Sequence, residues 1–472
     1  MLKPCASTAS LAQEAWVALW ATTGSRLFCS ALLVLAICSG CGGGSSSTTT
    51  YSGGGLGPGS VGTTVSLTTP TGINTTEVIV DSGPTGFSLG AANIPYVTVT
   101  VCAMNSSNCA TIDHVFLDTG SYGLRVLKSS VASLSLPALT LAANAQFNTP
   151  AGTVVECYPF VLGGLWGPLA KADVKIAGET ASAIPIQVID DSPGAALPVP
   201  ADCLAAAGGS VFNSAASLLA NGILGIGMMP YDCGLSCTSP LNYAGFHIQY
   251  YVCPDSVTAN CQAAAITADQ QTQNPVVHFV PSDNNPQPDN NGTIISLPAL
   301  PVLGAAVATG RLVFGIGTRS NNQIAPAAKI IMADSNPSSP SYLYFTTALT
   351  NSQGSTSFPD SYIDSGSNAF FFSDASISQC NSSGWYCPPG AAPVSRNATL
   401  TDFLGNSAPP FNFSIANADL LFLNGTAFNN LGGTIGQAPQ TFVWGLSFFF
   451  GRSVYTSIWG QALAMNGPWN AF

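Results

Sequence analysis

Two short motifs in the chain combine a carboxylate, a hydroxyl, a glycine and a second hydroxyl. The first is Asp-Thr-Gly-Ser at residues 118–121, and the second is Asp-Ser-Gly-Ser at residues 364–367. Each motif directly follows a short apolar stretch that is typical of a β-strand. Two carboxylates held about 3 Å apart cannot both ionise, so such a pair shares one proton. The ionised member can take a proton from a water molecule while the protonated member polarises a substrate carbonyl.

The residues beside each aspartate would have physical roles in this pair. The glycine two positions on lets the two loops approach each other without a side-chain collision. The hydroxyl next to each aspartate would bond across to the opposite loop, and the second hydroxyl would donate to a carboxylate oxygen. We therefore predict Asp118 and Asp364 as the catalytic pair, with no metal ion and no cofactor. The predicted supporting residues are Thr119, Gly120, Ser121, Ser365, Gly366 and Ser367.

The composition predicts an all-β protein. Only 7% of the 472 residues are charged, whereas turn-forming and β-branched residues are abundant, which favours sheets joined by loops over helical bundles. The net charge of −11 reflects a shortage of Lys and Arg. The chain has no basic stripe that could neutralise phosphates, so nucleic-acid binding is not expected.

The N-terminus is predicted to be an export signal. Arg26 precedes an apolar run at residues 27–37, which is too short to span a membrane and ends in Cys-Ser-Gly-Cys. Small residues before Cys41 resemble a bacterial lipobox, in which Cys41 would carry the lipid. Gly42 provides no inner-membrane retention signal, so we expect an exported protein anchored at the outer membrane, on its periplasmic or surface side.

Ten cysteines lie outside this leader, and an even number in an exported chain predicts disulfides. Three pairs each bracket a short polar loop and are expected to form local bridges. The remaining four cysteines would complete five bridges, and zinc binding is disfavoured because no second tight pair of ligands accompanies residues 233–237. The predicted pairs are Cys102/Cys109, Cys253/Cys261, Cys380/Cys387, Cys157/Cys203 and Cys233/Cys237.

Four segments are predicted along the chain. Residues 1–41 would be the signal peptide and lipobox, and residues 42–77 a flexible Gly/Ser/Thr-rich tether. Residues 78–305 would form an N-terminal β lobe with the first aspartate, and residues 306–472 a C-terminal β lobe with the second.

With these two motifs the sequence resembles the pepsin-like aspartic proteases, and the resemblance covers residues 94–460. Residues 96–126 are similar to the hairpin that leads into the first catalytic loop of that family. Glycine-containing segments also resemble those behind each aspartate and at the start of the second lobe, at 221–227, 443–445 and 310–317. The resemblance implies an all-β, bilobal architecture with a cleft between two pseudo-symmetric lobes. The leader and the sequence after Asp118 also resemble a family of proteobacterial lipoproteins, which implies no activity.

The chain departs from the protease pattern near the expected flap. Arg125 stands where the family usually has a Trp that supports the flap tyrosine, and no Tyr-Gly-x-Gly occurs at residues 156–169. Tyr158 and Trp166 are the flap candidates. Tyr158 has strand core as its alternative role.

These observations lead to three hypotheses. The first is a lipid-anchored aspartic endopeptidase that hydrolyses a peptide or protein substrate. The second is a catalytically inactive envelope or binding lipoprotein of the same fold, motivated by Arg125 and the unclear flap. The third is a tethered carbohydrate-binding or adhesion β-protein in which both motifs are coincidental.

Overall fold

A computed structural model of the chain describes most of the sequence downstream of the predicted tether. The described residues are 63–67, 72–85, 91–144, 149–192, 198–238, 249–254, 260–336, 339, 341–351, 354–381, 384–436, 438–461 and 467–472. The predicted signal peptide, Cys41 and most of the predicted tether lie outside them.

The described residues are mainly β-strands. The strands of the first part of the chain are β1 (Thr64–Ser66), β2 (Thr75–Val80), β3 (Pro95–Cys102), β4 (Cys109–Asp118), β5 (Tyr122–Leu127), β6 (Thr140–Leu141), β7 (Gly152–Phe160), β8 (Gly163–Ile176), β9 (Glu179–Ile189), β10 (Gly222–Ile226), β11 (Tyr250–Cys253), β12 (Gln262–Ala263), β13 (Val280–Pro281) and β14 (Gly292–Leu297). The later strands are β15 (Val307–Phe314), β16 (Ile330–Met332), β17 (Phe345–Asn351), β18 (Gly354–Ile363), β19 (Phe370–Phe371), β20 (Val394–Thr401), β21 (Phe411–Ile415), β22 (Gly432–Gly433), β23 (Thr441–Trp444), β24 (Arg452–Ser457) and β25 (Trp469–Ala471). The α-helices are short: α1 (Ala201–Ala206), α2 (Ala215–Leu218) and α3 (Ala418–Leu421).

The first aspartate motif lies at the end of the predicted hairpin. Strands β3 and β4 pair antiparallel, with Cys102 opposite Cys109 and Tyr96 opposite Phe116. Alternating apolar residues of β3, such as Val97, Val99 and Val101, are buried in the core, as the period-two pattern predicts. The return strand β4 ends at Asp118.

In the described residues, eighteen strands form one hydrogen-bonded sheet and seven strands form a second sheet. The second sheet comprises β17 to β23, and Asp364 follows its strand β18. The predicted all-β, bilobal, pepsin-like architecture is confirmed.

The two halves of the chain interleave in the first sheet. Strand β14 lies between β15 and β24 and pairs antiparallel with both. The predicted lobe boundary at residues 305/306 therefore falls between two paired strands. Strands β15, β16, β24 and β25, which follow that boundary in sequence, belong to the sheet that contains Asp118.

The tether prediction is wrong at its C-terminal end. Within residues 42–77, β1 pairs parallel with β15, and β2 starts at Thr75 and pairs antiparallel with β15. The physical reason is that Thr64, Val65, Thr75 and Thr76 have β-branched side chains, which suit a paired strand. Composition alone did not separate this stretch from the Gly- and Ser-rich residues before it.

Candidate active site

Both aspartates lie where one strand ends beside a second strand that runs parallel to it. Strand β10 runs parallel to β4, with Gly225 opposite Asp118, and antiparallel to β5, which leaves the motif. In the second half, β23 runs parallel to β18 and antiparallel to β19 in the same way. The segments predicted to lie behind the two aspartates are thus the strands that position them.

Glycine is required where these strands meet the motifs. A Cβ atom on Gly225 would lie 2.5 Å from the backbone nitrogen of Tyr122, which is too close for any other residue. A Cβ atom on Gly445, just after β23, would collide with the carbonyl oxygens of Ser367 and Ala369. These glycines therefore allow a close approach of backbones that fixes each aspartate-containing loop.

The two loops are braced across the gap between the halves. The Thr119 backbone N–H donates to Ser365 Oγ at 3.0 Å, and the Ser365 backbone N–H donates to Thr119 Oγ1 at 2.9 Å. Ser365 Oγ also donates to the Leu117 carbonyl at 2.8 Å. These bonds form the cross-connection that the sequence predicts for Thr119 and Ser365.

Each carboxylate accepts the same pair of hydrogen bonds within its own loop. Asp118 accepts from the Gly120 N–H at 2.7 Å and from Ser121 Oγ at 2.5 Å. Asp364 accepts from the Gly366 N–H at 2.7 Å and from Ser367 Oγ at 2.6 Å. The hydrogen-bonding environment of the two carboxylates is therefore related by an approximate twofold symmetry.

The motif glycines hold the carboxylates close together. A Cβ atom on Gly120 would lie 2.7 Å from Asp364 Oδ1, and one on Gly366 would overlap with Asp118 Oδ1. Each carboxylate thus packs directly against the glycine of the opposite loop, and any larger residue there would displace it.

The electrostatics of the pair match its geometry. Asp118 is 5% exposed and Asp364 is 8% exposed. Burial raises the pKa of Asp364 to about 8, and the Asp118 charge and a hydrogen bond between the two carboxyl groups contribute to the increase. The pair can therefore hold one proton between its members, with one oxygen able to donate and another able to accept.

Of the two flap candidates, Tyr158 lies on the face of the β7–β8 hairpin that contacts Arg125, and Trp166 does not. Strands β7 and β8 form a hairpin in which Tyr158 is opposite Leu165 and Cys157 is opposite Trp166. Adjacent residues of a strand point to opposite faces, so Trp166 lies on the other face from Tyr158. Trp166 is buried against Tyr251 and the Cys157–Cys203 disulfide. Trp166 is therefore a core residue on that face of the hairpin, and not the flap residue that the sequence suggested.

The structure also changes the interpretation of Arg125. Its guanidinium carbon lies 3.8 Å from the centre of the Tyr158 ring, within the range of a cation–π interaction. Arg125 thus contacts the flap candidate from the position where the protease resemblance predicts a Trp. The two acids that bond to Arg125, Glu156 and Asp232, were not predicted from the sequence, and neither was Tyr250, which donates to Asp232. The available clue was an Arg within an apolar strand of a chain with only 11 Lys and Arg residues.

The five predicted disulfides are confirmed. Each S–S distance lies between 1.98 and 2.08 Å. Cys157 joins the hairpin strand β7 to α1 through Cys203, while the other four bridges close loops of no more than eight residues. The observed bridges are Cys102–Cys109, Cys157–Cys203, Cys233–Cys237, Cys253–Cys261 and Cys380–Cys387.

A search for clustered metal ligands finds one group among the described residues, formed by Cys380, Cys387 and Asp419. The two cysteines are joined in a disulfide and offer no thiolate ligand. No helix in the described part of the chain is long and apolar enough to cross a membrane.

Comparison with protein families assigns this chain to one family. Residues 70–472 match the family described as "Protein of unknown function (DUF3443)". The chain belongs to this family. A search of curated proteins finds no match to this DUF3443 chain. A search of solved structures finds the aspartic proteinase from Irpex lacteus, with 13% sequence identity and a TM-score of 0.42, covering 84% of this chain and 96% of that one. The fold assignment given above rests on the strand pairing.

Proposed function

We propose that this protein is an exported aspartic endopeptidase, anchored to the membrane through a lipid on Cys41. The observation that carries the catalytic part is the cross-braced pair of Asp118 and Asp364, each set between a glycine N–H and a serine hydroxyl. The anchor and an outer-membrane location rest on the sequence at residues 26–42, and the five disulfides are compatible with export.

In the proposed reaction the ionised carboxylate takes a proton from water as the water oxygen bonds to the substrate carbonyl carbon. The protonated carboxyl group donates to the carbonyl oxygen and stabilises the charge that develops there. Collapse of the tetrahedral intermediate breaks the C–N bond, and the leaving nitrogen takes a proton from the pair. The Ser121 and Ser367 hydroxyls would keep the outer carboxylate oxygens fixed throughout.

The inactive alternative was motivated by Arg125 and by the unclear flap. The position of Arg125 now has a structural explanation, because Arg125 contacts Tyr158 on a hairpin that follows the first motif. We therefore place the endopeptidase first and treat a non-catalytic peptide-binding protein as the other outcome of the test below.

The test is hydrolysis of a broad peptide mixture by the full chain, with products identified by mass spectrometry. We expect cleavage by the wild type and a loss of at least about 1,000-fold in Asp118→Asn and Asp364→Asn, because neither carboxylate can be replaced in proton transfer. Asp81→Asn is the matched control, since Asp81 also begins an Asp-Ser-Gly sequence and also accepts from the following glycine N–H. Cleavage that persists in either dyad variant would exclude the assignment. Binding of a hydroxyl-containing peptide mimic without cleavage by the wild type would support the non-catalytic alternative.

A further inference from the structure

A buried cluster of charged groups lies between the first catalytic loop and the β7–β8 hairpin. The side chains of Arg125, Glu156 and Asp232 are fully buried. Arg125 donates to Glu156 at 2.6 Å, and its second, longer contact with Asp232 is 3.5 Å. A buried arginine is paired in this way because an isolated buried charge would be strongly destabilising.

Two neutral groups complete the cluster. Tyr250 Oη donates to Asp232 at 2.5 Å, and Thr272 Oγ1 donates to Glu156 at 2.9 Å. Burial and the neighbouring Glu156 raise the pKa of Asp232 well above its ordinary value, although Arg125 and Tyr250 act in the opposite direction. One cation thus faces two acids, and the pKa of one of them, Asp232, is shifted toward its neutral form.

Arg125 joins three parts of the candidate site. It lies on β5, which leaves the first catalytic loop, and its guanidinium also donates to the Tyr122 carbonyl at 2.7 Å. Glu156 and Tyr158 are two positions apart on β7, so they project from the same face of the hairpin. Arg125 therefore bonds to one of these residues and stacks on the ring of the other.

Tyr158 is 8% exposed and packs in an apolar cluster with Leu165 and Phe160. Burial raises the pKa of the Tyr158 phenol, Arg125 opposes this increase, and the charges of Asp232, Asp118 and Glu156 add to it. The phenol therefore remains protonated and able to donate a hydrogen bond at any pH at which the protein would work.

We propose that Arg125 is a positioning residue of the active site, which holds the Tyr158 ring in a fixed relation to Asp118 while Glu156 and Asp232 neutralise its charge from behind. The cluster makes the hairpin and the first catalytic loop one rigid unit. This inference rests on the proposed endopeptidase function. A purely stabilising role is a poor explanation, because apolar residues of similar volume commonly stabilise a core as well as a buried ion cluster does.

The test compares two charge-neutral double substitutions in the full chain. Arg125→Met with Glu156→Gln removes one cation and one acid from the cluster. Arg396→Met with Asp374→Asn makes the same change in the second half, where these two buried residues are paired at 2.7 Å. We expect the first variant to lower kcat/KM by roughly 10- to 100-fold, since a small displacement of a positioning group is costly. The second variant should retain the wild-type value, and Arg125→Lys should fall between them.

A thermodynamic cycle separates positioning from stability. Tyr158→Leu should lower kcat/KM by a similar factor, and combining it with the Arg125 double variant should add little, because both changes remove the same contact. Losses that multiply independently, or an Arg125 double variant that matches the Arg396 control, would overturn the inference.

Backbone amide hydrogen exchange tests the inference independently of activity. Exchange in residues 152–176 should become faster in the Arg125 double variant and remain unchanged in the Arg396 control. If the wild type neither cleaves peptides nor binds the hydroxyl-containing mimic, the proposed function fails. Unchanged exchange in the hairpin would contradict the role of Arg125 whether or not the protein is a protease.

Discussion

The two loops that carry Asp118 and Asp364 have matching hydrogen bonds but are supported by different kinds of packing. Next to the Asp118 loop, strand β5, which leaves the motif, carries Arg125 into a buried cluster of ions. Behind Asp364, strand β23 carries Trp444, which stacks on Phe442 with ring centroids 4.4 Å apart and meets Phe370 edge-to-face. The first support contains groups that can change protonation, whereas the second is a cluster of aromatic rings.

This difference separates the hydrogen bonds to the carboxylates, which match between the halves, from the packing around the loops, which does not. The bonds that touch the carboxylates are the same in both halves, so the two acids have equivalent polar surroundings. The outer packing only has to keep each loop rigid, and ionic and aromatic packing can each do so. The halves should consequently respond differently to core substitutions and to pH.

The largest expected effect comes from the aromatic support. Trp444 is fully buried, and its indole N–H donates to Thr347 Oγ1 at 2.9 Å. Trp444→Ala would leave a large cavity and an unpartnered hydroxyl, so we expect a loss of about 3–5 kcal/mol in the free energy of unfolding. Urea denaturation followed by fluorescence or circular dichroism measures this quantity. A loss below about 1 kcal/mol would show that the aromatic cluster is not what holds the second loop.

The two residues that connect the loops, Ser365 and Thr119, should contribute unequally to the free energy of unfolding. Ser365→Ala removes the acceptor for the Thr119 N–H and the donor to the Leu117 carbonyl, whereas Thr119→Val removes only the acceptor for the Ser365 N–H. A buried group left without its partner costs about 1–3 kcal/mol. We therefore expect Ser365→Ala to be the more destabilising of the two substitutions in the same denaturation assay. Equal losses would indicate that the bond to Leu117 contributes nothing.

The pH dependence of stability should also differ between the halves. In the first sheet, burial and the neighbouring Asp289 raise the pKa of Glu179 from 4.5 to about 8. The folded protein then holds a proton that the unfolded chain releases, so this contribution to the free energy of unfolding falls as pH rises between these two values. Glu179→Gln should make the stability less dependent on pH in this window.

Asp374 in the second half provides the opposite case. Burial acts to raise its pKa, but hydrogen bonds from Ser376 and Arg396 outweigh burial and lower it below 3.8. Its contribution is present above that value and is lost as the solution becomes more acidic. Thermal unfolding of the wild type and of each variant across pH measures both contributions. The stability difference between wild type and Glu179→Gln should change as pH rises above 4.5, and the difference between wild type and Asp374→Asn should change as the solution becomes more acidic. The same trend in both variants would contradict the comparison of the halves.

Features with a local pattern could be predicted from the sequence. The motifs at 118–121 and 364–367 follow apolar stretches, glycines lie in or directly after the strands behind them, and four of the five disulfides close short loops. Each of these features could be recognised from adjacent residues. The cluster around Arg125 could not be predicted in this way, because Glu156 and Asp232 lie 31 and 107 positions from Arg125 in the sequence. Only folding brings these residues together. The tether boundary was missed because Thr-rich strands and Thr-rich linkers have similar compositions.

The central claim is that Asp118 and Asp364 act on one water molecule. The most direct measurement is a crystal structure of the full chain with a peptide that carries a secondary hydroxyl in place of the scissile carbonyl. We expect that hydroxyl to lie about 3 Å from carboxylate oxygens of both aspartates, with Tyr158 over the bound peptide. Carboxylates more than about 8 Å apart, beyond the reach of one bridging water, would contradict the claim.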